Sequence, residues 1–342
     1  MKTLLPILGA LLVTSCASLP PPAIVVATHE TASPTDQGGR VGSPAIWSGG
    51  LVNEPGLVRS GFIASAARGD SLVIHDLEGR VIQRVAGAPV TDLDVAVLPL
   101  ADSYALVVAA ARRRSGQTSL VLFRLDRGAD QEVRPWGEVA TDLSRPAGLC
   151  MRQVRGVLTA VILDGRGQVL QFAVEEAPSG APALRETRRF RVPNAGPGCA
   201  IDPGGRLFVS HRRRGFWSIP LDPSASPIPV HLVPGTPRNV PRSIGVAFLN
   251  DRQGPYLTSL DHDRKGFSVW RLERAGLNWA GRFSVLDGPG GPAVRSPGGI
   301  DALGGGMGSF PGGLVVVQDE ANDGAPNLKY IDWTAVKEAL GL

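Results

Sequence analysis

Lysine is nearly absent from this chain. Lys2, Lys265, Lys329 and Lys337 are the whole complement, so almost all of its positive charge is arginine. Aromatic residues are sparse at 6%, and the net charge is only +4. A charge that small, with so few aromatics, argues against a nucleic-acid-binding surface. The apolar run Leu4 to Val13 is about ten residues long, too short to cross a bilayer as a helix. Convincing helix is missing until the end, where Thr334 precedes AVKEAL and predicts a capped turn or two. Gly304-Gly305-Gly306 follows an apolar run, but neither a phosphate-loop lysine nor a helix comes after it, so nucleotide binding is excluded. Asp261-His262-Asp263-Arg264-Lys265-Gly266 lacks a third acidic ligand. Leu272 stands where a calcium loop would close with Glu, so the segment reads as a turn. The five histidines are scattered, without the partners of a metal site or a catalytic triad.

What the chain has is a period. Six times an apolar strand, a polar and mostly basic turn and a second apolar strand recur. The second strands are SLVIHDL (71–77), SLVLFRL (119–125), QVLQFAV (168–174), GFWSIPL (215–221), FSVWRLE (267–273) and NLKYIDW (327–333). The first five begin roughly 50 residues apart, the spacing of propeller blades. A Gly- and Pro-rich insertion at 286–313 lengthens the last gap. Before each hairpin lies a short apolar stretch: 43–47, 91–97, 146–151, 197–202, 243–248 and 298–303. These are the expected innermost strands. A lone hairpin cannot bury its apolar face, whereas hairpins arrayed around a channel can. The 43 glycines and 29 prolines suit a chain of many turns. The expected fold is an all-β, six-bladed β-propeller with its ligand site at the channel and the adjoining hairpin turns.

The first residues carry an address. Lys2 and the apolar run form a signal-peptide pattern, and Val13-Thr14-Ser15-Cys16 has the form of a lipobox. Residues 1–15 are therefore expected to be a lipoprotein signal and Cys16 the acylated first residue of the mature chain. Several acyl chains on one cysteine anchor a protein stably. Ala17 after the cysteine points to the outer membrane of a diderm bacterium, facing the periplasm or the exterior. Residues 16–40, with Pro20-Pro21-Pro22 followed by Thr, Ser, Asp and Gly, read as a lipidated flexible tether, and 41–342 as the propeller, expected to be monomeric. Export places Cys150 and Cys199 in an oxidising compartment. They hold equivalent places in consecutive inner strands, so they are either a disulfide or two small buried apolar residues.

Several segments, in order, resemble the β-propeller phytases: PAIW (44–47), LVIHDLEGR (72–80), LDVAVLPL (93–100), DGRGQVLQF (164–172), FSVLDGP (283–289), GGIDALG (298–304), GGLVVVQD (312–319) and NLKYIDW (327–333). The resemblance implies a six-bladed propeller and a calcium-dependent phosphoric monoester hydrolase of the 3-phytase type, acting on inositol hexakisphosphate. Channel-mouth carboxylates in that family hold several calcium ions. Here the family's Asp-Asp-Pro reads Gly42-Ser43-Pro44, and Glu-Gly-Cys reads Pro197-Gly198-Cys199. Ala-Glu-Glu-Asp reads Ser210-His211-Arg212-Arg213. Asp-x-Glu-Gly reads Arg242-Ser243-Ile244-Gly245, and Asp-Gly-Ile-Asp reads Gly298-Gly299-Ile300-Asp301. Asp301, Asp94 and Asp319 remain as possible metal ligands.

On the phosphate side the resemblance keeps Arg68 in the first hairpin turn and Arg112-Arg113-Arg114 in the second, and His211, Arg212, Arg242 and His262 join them. Arginine recognises phosphate and carboxylate with a planar set of donors. The expected activity is recognition of a phosphorylated small molecule or other polyanion at a basic mouth, with calcium-dependent hydrolysis lost or reduced. An active phosphomonoesterase and an envelope scaffold or protein-interaction lipoprotein are the alternatives. Solvated arginine clusters with no ligand are the plainest reading of the same turns.

Overall fold

The computed structural model describes residues 19–33, 41–49, 61–67, 70–87, 90–101, 104–114, 117–126, 132–212, 215–222, 224, 228–230, 241–263, 266–274, 276–322 and 325–342. Two short strands come first, β1 (Ala23–Val26) and β2 (His29–Glu30). Six antiparallel sheets follow in chain order. Blade 1 is β3 (Ala45–Ser48), β4 (Gly61–Ala67), β5 (Asp70–His75) and β6 (Val81–Ala86). Blade 2 is β7 (Leu93–Pro99), β8 (Tyr104–Arg114), β9 (Gln117–Asp126) and β10 (Arg134–Thr141). Blade 3 is β11 (Pro146–Val154), β12 (Val157–Asp164), β13 (Gln168–Glu176) and β14 (Pro182–Arg191). Blade 4 is β15 (Ala195–Ile201), β16 (Arg206–His211), β17 (Phe216–Pro220) and β18 (Ile228–Val230). Blade 5 is β19 (Ser243–Asp251), β20 (Gly254–Asp261), β21 (Phe267–Glu273) and β22 (Gly276–Leu286). Blade 6 contains β23 (Pro297–Gly304), β24 (Gly313–Asp319) and β25 (Asn327–Asp332). The six expected inner stretches are the first strands of the blades, and the six recurrent segments are the third strands.

Burial explains the sequence pattern. Second strands such as β12 and β24 are covered on both faces by their own and the next blade, so they read as unbroken apolar runs. Outer strands such as β14 carry the arginines and glutamates. Tight turns reuse one device. The Asp76 and Asp164 carboxylates accept backbone N–H groups two and four residues on, and Gly79 and Gly167 supply the positive φ that closes each turn.

Residues 16–40 are not tether throughout. Leu19 packs on the propeller, and 23–30 contribute two strands. β1 adds to blade 5 in parallel with β22, and β2 is the outermost strand of blade 6, pairing with β25. The reason lies in side chains that composition hid. Val25 and Ala27 are buried in the core shared by blades 5 and 6, and Leu19 packs against the cluster around Phe208 and Trp270. The 286–313 segment is likewise partly bound up in closure. At Gly290 a Cβ would lie 2.2 Å from the Ala27 carbonyl oxygen, so this loop touches the first strands.

A buried ion pair sits at the seam. The Lys329 side chain is fully buried, and its ammonium pairs with the Glu30 carboxylate and donates to Asn322 Oδ1 at 2.7 Å. Asn327 Nδ2 donates to the same carboxylate at 2.9 Å. The terminal helix α1 (Trp333–Leu340) is capped by Asp332, whose side chain accepts from Thr334 N, in place of the cap expected at Thr334. Cys150 on β11 and Cys199 on β15 form a disulfide, with Cα atoms 5.9 Å apart.

Glu30→Ala leaves the Lys329 ammonium buried with no carboxylate, and should cost about 3 kcal/mol of stability. Urea midpoints measure this. Glu30→Ala combined with Lys329→Met removes the stranded charge and should recover part of the loss. Reducing the Cys150–Cys199 bridge, which closes a loop of 49 residues, should lower stability by about 4 kcal/mol in the chain-entropy model. Free-thiol labelling of the denatured, unreduced protein should leave both cysteines unmodified.

Candidate functional site

A first strand of a propeller blade has a partner on one side only. Its channel-side N–H groups must find acceptors elsewhere. Here carboxylates on neighbouring blades provide them. Asp92 Oδ2 accepts Leu149 N at 2.7 Å and Asp94 Oδ2 accepts Met151 N at 2.6 Å, joining β7 to β11. Asp301 Oδ2 accepts Ile46 N at 2.7 Å, joining β23 to β3 across the ring seam. The other oxygens of Asp94 and Asp301 accept the N–H of the following residue.

These three carboxylates line a channel cavity of about 770 Å³ together with Arg152. The Arg152 guanidinium donates to the Ile201 carbonyl at 3.2 Å and lies over the Phe248 ring. Burial lowers its pKa, opposed by the charges of Asp94, Asp202 and Asp301. Burial also pushes all three carboxyl pKa values up. Asp92 rises to about 6, and Asp94 rises further because Asp301 adds its charge to the burial. Sequence reasoning passed over Asp92 and Arg152. The i, i+2 spacing of Asp92 and Asp94 on one strand was the available signal. Arg152 had none beyond its place in an inner strand.

The predicted basic residues separate into two groups. His211, Arg212, Arg242 and His262 come together over blades 4 and 5. Arg242 Nη1 donates to the Arg212 carbonyl at 3.2 Å, and Arg242 Nη2 meets the His262 ring at 3.1 Å. Arg212 donates to the carbonyls of Ala195 and Gly165, bridging blade 4 to the hairpin turn of blade 3. His211 lies beside the Trp217 ring, centroids 6.0 Å apart. Among the described residues no carboxylate pairs with Arg212 or Arg242, and both are exposed. This arc stands on the rim, outside the channel lining. Arg112 does not join it. Its side chain is mostly buried and tied to Glu138 Oε2 at 2.7 Å, a partner on the outer strand of blade 2. Arg68, Arg213 and Arg214 lie outside the described residues, as does Cys16.

The supposed metal ligands do not form a cage. Asp94 and Asp301 hold backbone N–H groups. Asp319 is buried at the end of β24, where Oδ1 accepts the N–H groups of Arg295, Ser296 and Ala321, pinning the connection into blade 6. Among the described residues no three of His, Cys, Asp and Glu gather as a metal site would require. The backbone is crowded at Gly42, and at Gly298 a side-chain amide lies close. A Cβ on Gly42 would stand 2.3 Å from the Thr91 carbonyl oxygen, and one on Gly298 would stand 2.8 Å from the Gln318 amide. Calcium, which takes six to eight oxygen ligands, does not fit the described groups. The Asp261–Gly266 turn joins β20 to β21, and Arg282 and Ser268 hold Asp261 within it.

The profile of the phytase family matches residues 3–342. The chain belongs to the phytase family. Within it, this is a β-propeller phytase by fold, and the six blades follow from membership. Solved structures show more distant similarity. Aleuria aurantia lectin, in complex with Fucα1-6GlcNAc, matches at 8% identity and TM-score 0.48, over 74% of this chain and 81% of the lectin. The β-propeller domain of Myceliophteria thermophila Cps50 (Swd1) matches at 16% identity and TM-score 0.41, over 78% and 79%. The phytase family is generally calcium-dependent; among the described residues of this chain no cluster of metal-ligating side chains is found.

The raised carboxyl pKa values have a sign that can be tested. A carboxyl with a higher pKa in the folded state binds more protons there, so its contribution to stability is lost as pH rises through the folded value. For Asp92 that window runs from about 4 to about 6, and for Asp94 it extends higher. Stability should therefore fall between about pH 4 and about pH 8. Asp94→Asn should flatten the slope by up to about 1.4 kcal/mol per pH unit, read from urea midpoints at a series of pH values.

Proposed function

We propose that this phytase-family propeller is an envelope lipoprotein that binds phosphorylated or other polyanionic ligands on the basic rim of its channel, with calcium-dependent phosphate-ester hydrolysis lost or strongly reduced. One observation carries the reading. Arg242 stands where the sequence of the family's fifth inner strand has an acid, and it is held against Arg212 and His262 without a carboxylate partner among the described residues. A guanidinium has five N–H donors in a rigid plane. Arg212 spends donors on two carbonyls and Arg242 on one carbonyl and one imidazole, so each retains N–H groups for an incoming anion. Both sites are preset by these contacts, which lowers the entropy lost on binding.

Positive charge here does by direct contact what bridging cations do elsewhere in the family. The same substitution removes the machinery for hydrolysis. Metal-held water and electrostatic stabilisation of the developing charge each account for several kcal/mol of barrier reduction in phosphoryl chemistry. Calcium-stimulated phytate turnover should be at least about a thousandfold below that of a calcium-dependent relative. Phosphate release assays with calcium and with chelator measure it, and turnover within tenfold would overturn this part of the reading.

Calcium-free binding is measured by calorimetry with inositol hexakisphosphate in chelator. Affinity should fall as salt rises, because exposed charges are screened over about 8 Å at physiological ionic strength. Arg212→Glu and Arg242→Glu should each weaken binding by about tenfold or more, on the order of 1.4 kcal/mol. Absence of binding at low salt, or unchanged affinity in both variants, would overturn the basic-rim reading. Lipidation has its own test: Cys16→Ser should move the exported protein from membranes to the soluble fraction.

A further inference from the structure

Exposed large apolar side chains are few among the described residues, and three of them lie together. Ile24 and Val26 on β1 are 63% and 42% exposed, and Leu286 on β22 is 42% exposed. The parallel register sets Val26 beside Leu286 and Ile24 beside Ser284. Their neighbours Val25 and Val285 point to the other side of the sheet, into the core of blades 5 and 6. The remaining exposed ones, Ile82 and Val157, sit on blades 1 and 3. A patch on an outer strand, made by the first strand of the chain, calls for an occupant.

The geometry points to a lipid bilayer as that occupant: Ile24, Val26 and Leu286 form a membrane-contact face that lays the edge of blade 5 against the surface to which Cys16 is anchored. This rests on the lipoprotein reading given above. Cys16 precedes Leu19 by three residues, and Leu19 is already packed on the propeller. At no more than about 3.6 Å per residue, the lipidated cysteine stands within about 11 Å of that fixed point. Eight residues separate Cys16 from Ile24. A tether this short holds the blade edge at the headgroups, where a small apolar patch that is too weak to bind alone is continuously presented to lipid.

The test supplies the anchor chemically, so it does not depend on lipidation in the cell. With Cys150 and Cys199 bridged, Cys16 is the one free thiol of the mature chain. It is coupled to a maleimide phospholipid in phosphatidylethanolamine–phosphatidylglycerol vesicles containing a diazirine phospholipid. Photolabelling should concentrate on peptides carrying residues 23–26 and 284–287, at least tenfold above those carrying Ile82 and Val157. Ile24→Glu with Val26→Glu, and separately Leu286→Lys, should cut that labelling at least fivefold at unchanged coupling and unchanged melting temperature. Even labelling over the surface, or full labelling in both variants, would overturn the proposal. So would self-association that shields the patch without vesicles, since the occupant would then be a second copy.

Discussion

The innermost strands leave one edge without a partner, and the rest of the channel is arranged around that constraint. Six such edges face a common axis, and each presents N–H groups to a space about 770 Å³ in volume. Asp92, Asp94 and Asp301 meet part of the demand by reaching from one blade to the next. A carboxylate committed to two backbone N–H groups has few lone pairs left for a cation. The acids kept in the channel are thus structural acceptors, and the reduced acidity of Asp92 and Asp94 follows from their burial in that role.

Elsewhere around the ring two glycines stand close against their neighbours. A Cβ at Gly42 would meet the Thr91 backbone, whereas one at Gly298 would meet only the side-chain amide of Gln318. A side chain at residue 42 would therefore disturb the contact between blades 1 and 2. Arg212 and Arg242 are exposed. Arg212 fastens the rim of blade 4 to blade 3, and Arg242 fastens blade 5 to blade 4. The exposed arginines of the rim are thus also the ones that stitch neighbouring blades together.

The blades were legible because each is a short-range unit with its own apolar runs and turn residues, repeated at a nearly constant interval. All six inner strands and all six third strands stand where the repeat puts them. Closure was not legible. β1 is four residues long and β2 is two, and they sit among prolines and polar residues that read as a tether. Only their partners, more than 250 residues away, make them strands. The rim arc was half legible. Proximity along a blade brought His211 to Arg212 and Arg242 to His262, yet nothing in the local sequence showed that Arg112 turns outward to Glu138. Asp319 was read as a metal remnant because residue type alone cannot show that its Oδ1 already serves three N–H groups.

The clasp made by the first strands also sets an order of assembly. Blades 1 to 4 contain all their own strands and can form as synthesis proceeds. Blade 6 lacks its outer strand until residues 29–30 meet 329–330. That meeting is among the longest-range contacts the chain can make, and such contacts form late because their closure entropy is lost before they add stability. Since the helix α1 and the Lys329 ion pair arrive only with the last residues, the ring stays an open arc while the C-terminus is still in transit. A ring built this way latches only once its two ends are both available to each other.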